Sequence, residues 1–146
     1  MWFDSHAHLT APDYDTDREA VLQRAKAARV DTILTIGSGY GLAELQRAPA
    51  LAAQHDFVYA SIGVHPHNAA LLDDAGRTAL REELQKPKVV ASGECGLDYH
   101  YLHSPREVQR EVFAEQLALA RELKLPVCIH VRSDGNEAYD DLRAIW

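Results

Sequence analysis

Cysteine is scarce: the 146 residues hold only Cys95 and Cys128, and neither belongs to a CxxC or other zinc-type spacing. Each sits inside an apolar stretch, as small, reduced, buried side chains do, so a disulfide framework is not expected. Long apolar runs are missing too. None approaches the roughly 18 residues that a spanning helix needs, and Met1-Trp2-Phe3-Asp4-Ser5-His6 has neither a basic leader segment nor an apolar one. A cytoplasmic protein that crosses no membrane is expected. Positive charge is in deficit, with 15 Lys+Arg against 22 Asp+Glu and a formal charge of −7. The basic residues are scattered, with no stripe that could track a phosphate backbone. Any nucleic-acid substrate would need another source of positive charge, and a metal is the obvious one. Low-complexity segments, solenoid repeats and Ser/Gly-rich linkers are absent as well, so residues 1–146 read as a single domain.

What is present is ordinary globular material. Hydrophobic residues make up 47% and charged residues 25% of the chain, enough for one sizeable core. Apolar, β-branched segments at residues 2–6, 32–36, 57–64, 88–94 and 127–131 predict five strands with helices between them. Thr16-Asp17-Arg18-Glu19 has the form of a capping box opening a helix through Val21, Leu22, Ala25 and Ala28. Ser104-Pro105-Arg106-Glu107 repeats the device with proline at the first helical position. Behind it Val108, Val112, Phe113, Leu117, Ala120 and Leu123 recur at three- and four-residue intervals until Pro126. Residues 42–53 also read as helical, but Pro49 deletes a hydrogen bond and predicts a kink or a restart. Ala138, Leu142 and Ile145 are in helical register up to Trp146, so the chain is expected to end inside a helix. Strict alternation of strand and helix argues for a parallel sheet, because parallel neighbours need a connection of about a dozen residues. The class is α/β.

His6-Ala7-His8 follows the first strand, and side chains at i and i+2 of a strand point the same way, so the two imidazoles can grip one metal ion. Asp4 shares their face, reads as buried, and could orient one ring through its second nitrogen. Strand four is expected to end at Gly93-Glu94 and strand five at His130-Val131-Arg132. A carboxylate and a third imidazole thus reach the C-terminal edge of the sheet, where α/β enzymes place their sites. The plainer alternatives are a solvated Glu94 and a His130 satisfied by backbone. His65 ends strand three on the same edge and either contacts a substrate phosphate or orders the Pro66 turn, while His67 reads as solvent-facing. Asp98, with Tyr99 in the loop after Glu94, either binds metal water or caps the turn. Arg132 shares the His130 face and is a candidate phosphate clamp or one half of a surface ion pair. Cys95 points towards the covering helices. Cys128 lies one pleat deeper than His130, as a small core residue.

Four stretches together carry a resemblance: "MWFDSHAHL" at residues 1–9, "SIGVHPH" at 61–67, "GECGLDY" at 93–99 and "LPVCIHVR" at 125–132. In this order and spacing they resemble the signature blocks of the TatD-type metal-dependent deoxyribonucleases, and the likeness covers essentially the whole chain. The resemblance implies a (β/α)₈ TIM-type barrel, of which about the first five βα units are represented. It also implies a site for one or two divalent ions (Zn²⁺, Mn²⁺ or Mg²⁺) and hydrolysis of phosphodiester bonds in DNA or another phosphoester. Position by position, His6 and His8 match ligands of the first metal, Glu94 the carboxylate bridging both, and His130 a ligand of the second. His65 falls in a signature block too, and with Glu94 and Arg132 makes up the expected catalytic set. A further histidine after strand six and an aspartate after strand eight are also implied, and neither lies within these residues. A complete barrel takes ~250 residues, so a fragment or a degenerate form is expected, and five strands with two open edges would leave the isolated chain marginal or self-associating.

Two other readings compete. An amidohydrolase acting on C–N or ester bonds also starts with HxH on strand one. Many such enzymes bridge their metals with a carbamylated lysine on strand four, where this sequence has Glu94, with Lys86 and Lys88 too early. The second alternative is a non-catalytic remnant that is inactive alone.

Overall fold

The computed structural model describes residues 1–146. Five strands, β1 (Trp2–Ala7), β2 (Val30–Gly37), β3 (Val58–Ile62), β4 (Val89–Asp98) and β5 (Val127–Arg132), form one sheet in sequence order. Every neighbouring pair is parallel. The connections carry α1 (Arg18–Ala27), α2 (Glu44–Gln54), α3 (Asp74–Glu83) and α4 (Arg106–Leu123), and α5 (Glu137–Ile145) follows β5. Short 3₁₀ turns occupy Pro12–Tyr14 and Pro66–Leu71.

Period-two alternation divides the sheet into two chemically distinct faces. On the helix side Ile33, Val58, Ala60, Ile62 and Val89 pack with Leu22, Leu45, Leu51, Leu80 and Val112 in the larger core cluster. Cys95 and Leu97 of β4 join Phe113 and Ala138 in a smaller one, against which Val127, Ile129 and Val131 of β5 pack. Burial of each large apolar side chain stabilises the fold by about 1.5–3 kcal/mol, which fixes which residues face the helices. The intervening positions, Glu94, Gly96 and Asp98 on β4 and Cys128, His130 and Arg132 on β5, consequently share the other face. The edge strand β1 is largely exposed, with Trp2 at 71% and Phe3 at 63%.

The local signals were realised unevenly. Helix α1 starts at Arg18 behind Asp17, with no side-chain cap. The Thr16–Glu19 box is not used because Arg18 ties the entering chain instead, donating to Leu9 O at 2.6 Å and Asp15 at 2.5 Å. Pro105 is the residue before α4 rather than its first, and Ser104 leaves the helix end uncapped for another role described below. Helix α2 runs unbroken across the buried Pro49, so there is no restart. Its first turn closes with i→i−3 bonds from Leu45 and Gln46.

Strand β4 continues past Glu94 to Asp98. Gly93 and Gly96 resemble strand terminators in sequence, yet here they permit close approach to β5. Both have positive φ, +132° and +141°, and a Cβ would lie 2.2 Å from Cys128 O and 2.0 Å from His130 O respectively. Glycine is the residue that combines those dihedrals with that contact. The β4–β5 register shifts between Ser92 and Cys95 over the same stretch.

Beyond β4, the Tyr99 hydroxyl donates to Asp141 of α5 at 2.6 Å, and Arg110 of α4 donates to the same oxygen at 3.0 Å. Burial, then the Asp141 carboxylate, pushes the Tyr99 phenol from 10.0 up to about 12. A raised value means that the folded state favours the neutral phenol. That contribution to stability is fully present below pH 10.0 and is lost as pH rises through about 12. The fall in Tm over this alkaline window is therefore expected to be shallower in Tyr99→Phe than in the parent chain, as thermal melts at stepped pH will show.

Candidate metal centre

The strand ends bring His6, His8, Glu94 and His130 together. Glu94 Oε2 lies 3.9 Å from His6 Nε2 and 3.9 Å from His8 Nε2. Its other oxygen, Oε1, lies 3.4 Å from Nδ1 of His130, which is 3.2 Å from His65 Nε2. Two donors each ~2.1 Å from a common ion are at most about 4.2 Å apart, and the separations of Glu94 from His6, His8 and His130 fall inside that limit. The donors form three overlapping groups, His6/His8/Glu94, His65/Glu94/His130 and His67/Asp98/His130, in each of which the ligand atoms lie within 4.8 Å of one another. Imidazole and carboxylate donors in such groups fit a divalent ion. One Glu94 oxygen serves the first group and the other serves the second.

Electrostatics keep His8, His65 and Glu94 in ligating states. Burial lowers the pKa of His8 below its ordinary value, with Glu94 opposing. Burial, reinforced by His130, lowers His65 to about 4, so both rings are neutral near pH 7. Burial alone would raise Glu94, but the hydrogen bond with His130 and the adjoining imidazoles leave it lowered and ionised; burial would lower His130, but that bond and Asp98 leave it raised.

His65 takes one of the two roles that its sequence position suggested, the ordering of the Pro66 turn. Its Nδ1 accepts from the backbone N–H of His67 at 3.2 Å, ordering the Pro66 turn, while Nε2 reaches His130. His67 corrects the sequence reading: it is not solvent-facing but meets Asp98 Oδ2 through Nε2 at 2.7 Å. Asp98 is fully buried at the end of β4. Its Oδ1 accepts from the N–H groups of His100 and Tyr101 at 3.1 and 2.9 Å, and its Oδ2 also meets His130 Nε2 at 3.0 Å. Asp4 is a second correction. It is exposed and accepts from the His6 backbone N–H at 3.1 Å, so it orients the strand end rather than an imidazole. Cys128 is half-buried with Sγ 3.7 Å from His6 Nδ1, nearer the cluster than a core role implies.

Three supporting residues escaped the sequence reading. Gln116 of α4 donates to Val64 O at 3.0 Å and accepts from Val64 N–H at 2.7 Å, clamping the backbone beside His65. Gln109, two helical turns earlier, does the same to Asp98, donating to its O at 3.0 Å and accepting from its N–H at 2.7 Å. A signal did exist: both amides interrupt the apolar face of α4, and a buried amide must find partners, most readily the backbone at strand ends. Ser104 Oγ accepts from Ala70 N–H at 3.0 Å and donates to His67 O at 3.1 Å, locking the turn that carries His65 and His67.

A cleft of about 400 Å³ opens over the cluster, with His8, His65, Glu94 and His130 in its floor and Tyr40, Tyr101 and Arg132 in its wall. The Arg132 guanidinium lies over the Tyr101 ring at 4.7 Å, and His103 stacks on the same ring at 5.7 Å and 11°. Arg132 is thus a cation held at the cleft by stacking, not a member of a surface ion pair. Lys88 sits before the opposite end of β4, bonded to the carbonyls of His55 and Asp56.

A parallel sheet that carries imidazoles and a shared carboxylate at the C-terminal ends of its strands has the layout of a barrel-type site. The chain belongs to the family of TatD related DNases, whose model matches residues 3–146. It is 46% identical over 132 residues to the uncharacterized metal-dependent hydrolase YabD of Bacillus subtilis (strain 168), which covers 90% of this chain and 51% of that protein. It is 41% identical over 130 residues to the 3′-5′ ssDNA/RNA exonuclease TatD of Cronobacter turicensis, covering 89% and 49%. The crystal structure of YJJV, a TatD homolog from Escherichia coli K12, superimposes with a TM-score of 0.86 at 33% identity, over 99% of this chain and 56% of that one. The chain spans about half the length of the curated relatives it matches, and its fold is that of five βα units of a TIM-type barrel. No helix is long and apolar enough to cross a membrane.

Proposed function

We propose that the strand-end cluster holds one or two divalent ions (Zn²⁺, Mn²⁺ or Mg²⁺), and that the polypeptide carrying residues 1–146 as one barrel domain hydrolyses phosphodiester bonds of nucleic acid. The observation that carries this reading is the division of Glu94 between two imidazole groups, one oxygen to His6 and His8 and the other to His130. His6 and His8 would hold one ion with Glu94, and His130 with His65 the other. When bound, such ions neutralise charge on phosphoryl oxygens and make water acidic near neutral pH. That supplies the positive charge which a chain of net −7 lacks.

The chain's own residues position the substrate. Arg132 presents a flat, permanently charged fork that matches phosphate oxygens, and its stacking on Tyr101 fixes the direction of that fork. The exposed rings of Tyr40 and Tyr101, 49% and 50% accessible beside the cleft, offer surfaces for unpaired bases. This fits the single-stranded substrates in the names of the exonuclease relatives. We place the protein in the cytoplasm, where its two free thiols stay reduced.

The test is hydrolysis of a single-stranded oligonucleotide by the polypeptide that carries these residues. Chelator-sensitive cleavage is expected. Arg132→Ala should lower kcat/KM by ~10–100-fold, the worth of one hydrogen bond to a charged group, with metal content unchanged by elemental analysis. Loss of the metal in that variant would make Arg132 a support of the ligands. Cleavage of amide but not phosphodiester substrates would favour the amidohydrolase alternative, against which the placement of Glu94 on β4, with Lys88 before the strand, already argues.

A further inference from the structure

We propose that Asp98 is a positioning residue that fixes the ring tautomers of His130 and His67, so that His130 offers the lone pair of Nδ1, and not that of Nε2, to an ion beside Glu94. The proposal rests on the metal-centre reading above. Asp98 is fully buried. Oδ1 is committed to the N–H groups of His100 and Tyr101. Oδ2 therefore faces the two imidazoles alone, at 2.7 Å from His67 Nε2 and 3.0 Å from His130 Nε2. An ionised carboxylate can only accept, so each ring presents Nε2–H to it. Between two carboxylates the metal-free ring can carry a second hydrogen on Nδ1, towards Glu94 Oε1 at 3.4 Å, but a neutral ring keeps the hydrogen of the shorter contact, Nε2 to Asp98 at 3.0 Å, and its bare Nδ1 then faces His65 Nε2 at 3.2 Å.

The rest of the network agrees with this assignment. If His130 Nδ1 is an acceptor, His65 must donate from Nε2 and accept at Nδ1, and its Nδ1 does accept from the His67 N–H. One carboxylate thus sets a chain of three rings, and each hydrogen lies where the next acceptor needs it. The carboxylate itself cannot drift, because Gln109 holds the Asp98 backbone by both its N–H and its carbonyl. A ligating imidazole whose other nitrogen donates to a carboxylate is both oriented and made a stronger donor, and loss of such a partner typically costs ~10–100-fold in metal affinity.

The same three side chains could instead hold an ion of their own, since His67 Nε2, Asp98 Oδ2 and His130 Nε2 also lie within 4.8 Å of one another. The two arrangements exclude each other at His130 Nε2, which carries a hydrogen in one and a metal in the other. The structure favours the hydrogen, because both imidazole–carboxylate separations are hydrogen-bond lengths.

The test uses ¹⁵N-labelled metal-free protein and its Asp98→Asn variant. Asparagine keeps an oxygen for the two backbone N–H groups and turns a donor amide towards the rings, which forces Nε2 to accept and moves the ring hydrogen to Nδ1. Long-range ¹H–¹⁵N spectra, recorded at a pH high enough for His130 to be neutral between its two carboxylates, should show His130 and His67 as Nε2–H tautomers in the parent chain and His130 as Nδ1–H in the variant. Zn²⁺ affinity by calorimetry should fall ~10–100-fold, with stoichiometry unchanged and cooperative melting retained. A neutral parent His130 in the Nδ1–H form would overturn the proposal whether or not the variant folds. So would undiminished Zn²⁺ affinity in the variant, or loss of one ion with the remaining affinity unchanged, which would assign a metal to the Asp98 group itself. A parent chain that shows the Nε2–H tautomers yet binds no ion would contradict the metal-centre reading and leave the tautomer assignment standing.

Discussion

Glu94→Gln should lower the affinity of the chain for Zn²⁺ or Mn²⁺ by more than ~100-fold, beyond what loss of an outer partner typically costs. It should do more damage than any single imidazole replacement. Glutamine keeps the volume of the side chain, which is 9% exposed, but removes its charge and replaces one oxygen with an amide group that cannot ligate. One imidazole group loses its carboxylate oxygen and the other keeps only an uncharged carbonyl oxygen, whereas His6→Ala or His8→Ala removes a donor from one group only. In the polypeptide that carries these residues, Glu94→Ala should abolish metal-dependent hydrolysis, while His65→Ala leaves measurable turnover. Calorimetric titration of the variants checks the order, and equal affinities for Glu94→Gln and the parent chain would remove Glu94 from the centre.

Much of this site was legible in the sequence, because period-two alternation is a strong constraint where one sheet face is buried. His6 with His8, and His130 with Arg132, share a face by spacing alone, and the apolar residues Val127, Ile129 and Val131 of β5 leave His130 and Arg132 no other. The parallel order of five strands followed from the alternation of strand and helix in the same way. What was not legible depended on contacts between segments distant in sequence. His67 looks solvent-facing until β4 is known to run on to Asp98, and that continuation was hidden because Gly93 and Gly96 resemble strand ends. The Thr16–Glu19 box is well formed as sequence but lost to Arg18, whose partners Leu9 and Asp15 lie in the preceding turn. Gln109 and Gln116 read as flaws in an apolar helix face, and they became clamps only once the ends of β3 and β4 were placed against α4.

Gly96→Ala should be the most disruptive single-methyl change near the site. The new Cβ would sit 2.0 Å from His130 O on a backbone with φ +141°. Neither term can relax independently, since the contact is with backbone and the dihedral is set by strand pairing. Positive-φ strain of this kind costs ~1–3 kcal/mol for a residue with a side chain, and parting β4 from β5 adds to it. A total of about 3 kcal/mol or more corresponds to a fall in Tm of roughly 6–12 °C for a chain of this size. Because Gly96 pairs with His130 in the ladder, weakened metal binding should accompany the loss of stability. Gly39→Ala is the control: it also has positive φ, +92°, but nothing within 4 Å of its Cβ. It should show the strain without the separation of strands, and metal affinity should be retained. Equal Tm for Gly96→Ala and the parent chain would mean that the β4–β5 approach is looser than described.

The most direct test of the account is Zn²⁺ titration of the metal-free 146-residue chain, followed through the imidazole ¹⁵N resonances of all eight histidines. The centre as described predicts that His6, His8 and His130 shift first and together, while His55, which pairs with Glu19 at 3.6 Å away from the cluster, and the stacked His103 keep their metal-free positions. Shifts that begin at His55 or His103, or no change in His6, His8 and His130 at saturating Zn²⁺, would contradict it.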